Sequence, residues 1–254
     1  MICMEKSLRI KNELGEELDV LVEGNPDGKA VVVLVHGWGT DKNETADLFV
    51  DISKNLQEDF IIVRFDFSGY GQSQGKQEEA SIIKYTGDLR CILKWVENEF
   101  RKPIYVYAHS IGTMVTSLLS PDNIEKVILG VASNNSPGHY IERIKKRIES
   151  KGGTFDLGGI SIYPRTSGQV QKIGSVFWQS LKQLKPLEIV AKLAGKTNLL
   201  MIRAKQDEII DNQFLDEYKQ ISNLRYLELD GSHSFIGSED RKIFIKEIKN
   251  FFLN

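Results

Sequence analysis

The sequence predicts an α/β protein: a mostly parallel, twisted sheet with helices on both faces and one inserted subdomain. Three observations carry this. Short β-branched runs without polar alternation recur along the 254 residues, as in strands buried on both faces. Longer stretches with a 3.6-residue apolar period lie between them. One segment, residues 132–185, breaks the alternation and is far longer than the usual connection of about two to six residues.

In chain order, Leu8–Lys11 and Leu18–Glu23 flank Glu13-Leu14-Gly15-Glu16 and read as an antiparallel hairpin. Ala30–Val35 is an unbroken apolar run, and Phe60–Phe65, Ile104–Tyr107, Val127–Val131, Leu199–Ile202 and Leu224–Leu229 are similar. Helical periodicity covers Ala46–Leu56, Ile82–Phe100, the short Phe214–Ile221 and Ile243–Phe252. Such alternation gives right-handed crossovers and a sheet covered on both sides. The insertion has a basic helical segment (Ile141–Ile148), a turn at Lys151-Gly152-Gly153 and an apolar patch at Val176-Phe177-Trp178. Its aromatic content argues for a folded subdomain. The division is therefore residues 1–131 and 186–254 as the core, with 132–185 as a lid.

Composition narrows the function. The 33 Lys+Arg nearly balance 35 Asp+Glu, a net charge of −2, which argues against a generic nucleic-acid binder. The apolar runs are too short to span a bilayer. Two isolated cysteines, Cys3 and Cys91, make neither a disulfide framework nor a zinc site. The N-terminal residues lack the apolar stretch of a secretory signal, so the expected location is cytoplasmic and the sequons at Asn43 and Asn134 are read as chance. No cofactor or metal is expected.

The strongest chemical signal is Ile104-Tyr105-Val106-Tyr107-Ala108-His109-Ser110-Ile111-Gly112. A buried strand enters a helix through small-x-Ser-x-Gly, the turn that lifts a serine hydroxyl above a sheet. The residues two before and two after the serine pass close to neighbouring backbone and must be small. Gly112 fits, and Ala108 stands where glycine is commoner. The bland reading of Ser110 is a helix N-cap.

A nucleophilic serine needs a base, and the base needs an orienting acid. Of four histidines, His36 and His109 sit inside other motifs and His139 in the insertion. His233 follows the last strand, in Asp230-Gly231-Ser232-His233, where such a sheet places its site. Asp207, just past the preceding strand, is the acid, with Glu208 and Asp211 as rivals. The oxyanion of acyl transfer needs two N–H donors. The backbone amides of Ile111 and of Trp38, in His36-Gly37-Trp38-Gly39-Thr40, are placed for this. The cluster Asp66-Phe67-Ser68-Gly69-Tyr70-Gly71-Gln72-Ser73 has the wrong spacing for a dinucleotide fingerprint. It reads as a turn network in which Asp66 accepts hydrogen bonds and the glycines take positive φ.

Together these motifs resemble the α/β-hydrolase superfamily over nearly the whole chain. Within it the chain looks like compact bacterial carboxylesterases with a short lid, the cinnamoyl/feruloyl esterase-like enzymes and the monoacylglycerol lipase and serine aminopeptidase-like group. The resemblance implies hydrolysis of a small-molecule carboxylic ester through an acyl-enzyme on Ser110, with His233 as base and Asp207 as acid. It places the lid after the sixth strand. Phe155, Tyr163, Phe177 and Trp178 are substrate-contact candidates, each also readable as core of the lid, and the Trp38 indole is a further one, in a loop also readable as a simple tight turn. Arg143, Lys145, Lys146 and Arg147 read as a solvated helix face rather than an anion site. A peptidase or amidase, a thioesterase, and a non-catalytic binding protein are the alternatives.

Overall fold

A computed structural model describes residues 4–165 and 168–254. Cys3 lies outside the described residues. Strands β1 (Met4–Lys11), β2 (Glu17–Gly24), β3 (Val31–Val35), β4 (Ile61–Phe65), β5 (Ile104–His109) and β6 (Ile124–Gly130) alternate with helices α1 (Leu48–Leu56), α2 (Ile82–Phe100) and α3 (Ile111–Leu119). The segment after β6 forms α4 (Pro137–Ser150), the hairpin β7 (Ile160–Pro164) and β8 (Val170–Gly174), and α5 (Ser175–Lys182). Helix α6 (Pro186–Ala194), β9 (Asn198–Ala204), β10 (Leu224–Leu229) and α7 (Ser238–Leu253) complete the chain.

Eight strands form one sheet in the order β1-β2-β4-β3-β5-β6-β9-β10. The β1–β2 and β2–β4 pairings are antiparallel, and the five from β4 to β10 are parallel. Alternation along β3 explains the two layers of core. Val31, Val33 and Val35 face the layer that includes α2, α3 and α6, whereas Val32 and Leu34 face α1 and α7. All five are fully buried, each worth roughly 1.5–3 kcal/mol of transfer free energy.

Residues 132–185, where the sequence shows no strand–helix alternation, hold the antiparallel β7–β8 hairpin. Its burial does not follow its apolar residues. Ser161 and Tyr163 face inward while Ile160 is half exposed, and across the hairpin Gln171 is buried while Val170 is exposed. Phe214–Ile221 is a 3-10 turn at Asp216–Gln220 rather than an α-helix.

Candidate active site

Strand β5 delivers Ser110 to the carboxyl edge of the sheet. Its φ of 51° and ψ of −121° are a strained pair for a residue with a Cβ, the mark of a sharp strand-to-helix turn. The Ser110 N–H donates to Gly130 O at 3.0 Å, and its carbonyl accepts from Thr113 N–H at 3.0 Å. Gly112 makes the turn possible: a Cβ there would lie 2.6 Å from Val35 O and 2.8 Å from His36 O. Ala108 is accommodated inside β5, fully buried.

The loops after β9 and β10 converge on Ser110. His233 Nε2 lies 3.1 Å from Ser110 Oγ, and His233 Nδ1 lies 2.8 Å from Asp207 Oδ2. The other Asp207 oxygen accepts from the Ile209 and Ile210 N–H groups, both at 2.8 Å. Burial would raise the Asp207 carboxyl, but charge and hydrogen bonding from His233 and those two amides outweigh it and hold the group below its usual range. Burial alone would lower His233; the Asp207 charge and hydrogen bond reverse this, and Glu44 and Glu208 add to the rise. Of the rival acids, Glu208 accepts the His233 backbone N–H at 3.0 Å, and Asp211 binds His139 and Arg143, both at 2.9 Å.

The loop after β3 lies beside Ser110, where a Cβ on Gly37 would come within 3.3 Å of Ser110 Cβ. His36 holds its shape, with Nε2 accepting from Phe67 N–H at 3.0 Å and Nδ1 2.7 Å from Gly37 O. Gly39 has φ +74°, and a Cβ on it would meet Gln171 Oε1 at 2.5 Å. Ile111 opens α3, so its N–H has no partner within the helix. Asp66 accepts from Lys42 N–H and Nζ and from Gln72 N–H, with Gly69 and Gly71 at positive φ, as the turn network requires.

Two buried groups escaped sequence reasoning. Glu44 packs under the loop, one oxygen accepting from Gly37 N–H at 2.5 Å and Thr40 Oγ1 at 3.1 Å. Its other oxygen accepts from Thr45 N–H at 2.9 Å and Thr45 Oγ1 at 3.2 Å. Burial works against its charge, yet nearby His109 and His36 and the Gly37 and Thr45 amides hold its pKa below the usual value. The second is His109, whose ring meets that of His233 edge-on at 5.3 Å. Burial pushes it down to about 4, so it is neutral near pH 7. Nothing in their spacing marks either residue, and only burial singles them out.

A narrow cavity of ≈ 60 Å³ over Ser110 is lined by Trp38, Tyr140, Tyr163, Arg147, Arg165 and His233 among others. Thr40, Tyr163, Arg147 and Arg165 also line a wider cavity of ≈ 380 Å³ outside it. Two larger cavities of ≈ 480 Å³ contain neither Ser110 nor His233. Of the aromatic contact candidates, Trp38 and Tyr163 face the cavity. Phe177 and Trp178 are buried, and Phe155 packs on Trp178 at 5.1 Å between ring centres. Phe177 stacks on Trp38 at 4.9 Å, so these three build the core of the insertion and support Trp38 from behind. The expected solvated basic face is divided: Lys146 is exposed, Arg143 pairs with Asp211, and Arg147 turns into the cavity. The described residues contain no cluster able to hold a metal ion and no helix long and apolar enough to cross a membrane.

A family model described as serine aminopeptidase, S33, matches residues 26–151. Among solved structures, Est1E from Butyrivibrio proteoclasticus with ferulic acid bound is similar, with a TM-score of 0.78 and 19% identity, covering 97% of this chain and 98% of that one. An esterase domain from Rhodothermus marinus (TM-score 0.72, 18% identity, 98% and 96% covered) and the Pyrococcus furiosus esterase Pf2001 (0.75, 16%, 98% and 89%) share the fold. A curated relative, lysophosphatidylserine lipase ABHD12 of Danio rerio, is 30% identical over 91 residues, which is 35% of this chain but 22% of that protein's length. With the sheet order, the elbow at Ser110 and these similarities together, the chain has the α/β-hydrolase fold, and just under half of it matches the serine aminopeptidase, S33, family model.

Proposed function

We propose that this protein is a serine esterase that cleaves a carboxylic ester through an acyl-enzyme. The observation that carries this reading is the hydrogen-bonded line Ser110–His233–Asp207 ending at a strained elbow. Ser110 Oγ attacks the ester carbonyl while His233 Nε2 takes its proton, and Asp207 holds the imidazole and stabilises its cation. The Trp38 and Ile111 amides receive the oxyanion. His233 returns the proton to the leaving alkoxide, and water, activated by His233 in turn, releases the acid.

Residues 132–185 act as a lid whose Tyr140, Tyr163, Arg147 and Arg165 wall the cavity. An ester fits this cavity better than a peptide with a free amine end. The acids beside Ser110 are already engaged, Glu44 by Gly37, Thr40 and Thr45 and Glu208 by His233. The relatives named as esterases and as a lipase are consistent with ester chemistry.

The test is hydrolysis of p-nitrophenyl esters from acetate to dodecanoate by wild type and Ser110→Ala, with fluorophosphonate labelling of both. We expect turnover and labelling by wild type and neither by the variant. Labelling without turnover of any ester would move the reading to an amide or thioester substrate; no labelling would leave a binding protein.

A further inference from the structure

We propose that the cleft selects esters bearing a carboxylate or phosphate group, which Arg147 and Arg165 grip beside the scissile bond. This rests on the esterase reading and adds a substrate class to it.

Both arginines line the narrow cavity that holds Ser110 and His233, and both line the wider one outside it. They come from different elements, Arg147 from the last turn of α4 and Arg165 from just after β7. Each is half-buried. Their positions are fixed by groups other than acids. Arg147 Nε donates to Tyr163 Oη at 3.4 Å, and the Arg165 guanidinium lies 5.1 Å from the centre of the same ring. Arg165 Nη1 also donates to Gln171 Oε1 at 3.2 Å, and Gln171 is anchored by a buried hydrogen bond to Tyr70 Oη at 2.8 Å. That Nη1 lies 3.0 Å from where a Cβ on Gly39 would sit, so the charge rests against the loop that carries Trp38.

Neither arginine is in an ion pair among the described residues, although Arg143, one turn before Arg147, pairs with Asp211. The acids that share these cavities are spent on backbone. Glu44 accepts from Gly37 and Thr45, Glu208 from His233, and Asp41 from Asn43. Each guanidinium has five N–H donors in a planar fork suited to a carboxylate or phosphate, and the contacts above use few of them. Two such forks facing one polar cleft, neither paired with the acids that line it, form a receptor for an anion.

The experiment compares pairs of esters matched except for one anionic group. On the acyl side, mono-p-nitrophenyl adipate is set against p-nitrophenyl hexanoate. On the alcohol side, 1-butyrylglycerol 3-phosphate is set against 1-butyrylglycerol, followed by acid release. Wild type is expected to favour the anionic member of at least one pair by about 10-fold or more in kcat/KM, with the preference shrinking as salt rises. The pair that responds tells an acyl-side carboxylate from an alcohol-side phosphate. Arg147→Gln and Arg165→Gln should each lower the anionic member about 10- to 100-fold, mainly through KM, and the neutral member far less. Lys146→Gln, on the exposed side of the same helix, should change neither. Equal rates within both pairs for wild type would overturn the proposal while leaving the esterase reading intact. So would arginine variants that lose both members equally, the mark of a structural role. No turnover of any of the four would overturn both.

Discussion

Glu44→Gln separates the hold on the proposed oxyanion loop from the proposed chemistry at Ser110. The carboxylate accepts two backbone N–H groups, one at each oxygen, from Gly37 and Thr45. A glutamine has one acceptor oxygen. However its amide turns, its NH₂ faces one of those N–H groups, which cannot rotate away as a threonine hydroxyl can. Hydrogen bonds to a charged group are worth about 1.5–3 kcal/mol each. A buried neutral amide is cheaper to desolvate than a carboxylate, which offsets part of the loss. We expect a net cost of about 1–2 kcal/mol, or a Tm about 3–6 °C lower for a chain of this size.

The kinetic consequence falls on Trp38, the neighbour of Gly37. Losing an oxyanion donor outright costs about 10²–10³ in kcat, so a loosened one should cost about 10- to 100-fold with KM little changed. A third readout tests the electrostatics. Glu44 helps to raise His233, and His233 acts as a base only when neutral. Removing the charge lowers the His233 pKa, so the ascending limb of kcat/KM should move toward acid. The assay is a pH series on the best p-nitrophenyl ester beside a thermal melt. A variant with wild-type kcat and an unmoved limb would refute the reasoning.

Two further outcomes follow from the same geometry. The ascending limb of wild-type kcat/KM should lie above 6.5, because Asp207 stabilises the His233 cation; Asp207→Asn should move it to lower pH and cut kcat about 10³- to 10⁴-fold, measured on the same pH series. Ser110→Gly should melt about 2–4 °C above Ser110→Ala, since glycine relieves about 1 kcal/mol or more of strain at φ 51°, and a calorimetric comparison of the two inactive variants checks it.

The central sheet was legible because β3 and β5 and most of β4, β6 and β9 are buried on both faces and therefore read as nearly continuous apolar runs. Ile82–Phe100 matched its period to the residue because one face packs on the sheet and Ser81 caps its start, accepting from Lys84 N–H. The insertion was not legible as strands, because its buried positions include the polar Ser161 and Gln171. Ser161 is turned inward to accept the Trp178 indole N–H at 3.2 Å, and Gln171 to reach Tyr70. The sequence motifs brought Ser110, His233, Asp207, Trp38 and Ile111 to one end of the sheet because each follows a strand. Glu44, Arg147 and Arg165 follow no such rule; they belong to the cleft through tertiary packing alone.

The way the insertion is fastened bears on how such proteins can be recombined. On one flank its hairpin and α5 are stitched to the core by Gln171 to Tyr70, Lys172 N–H to Gln77 Oε1, and Ile82 N–H to Ser180 Oγ of α5. On the other, Arg143 of α4 donates to the Glu208 and Ile209 carbonyls and pairs with Asp211, the loop that begins at Asp207. A segment transplanted here from a relative would inherit one side of each stitch without the other. To keep the acid loop in register, the graft must bring matching changes at Tyr70, Gln77 and Asp211, far apart in sequence. The exchangeable unit is thus discontinuous, a patchwork of the inserted segment and the core positions that clasp it.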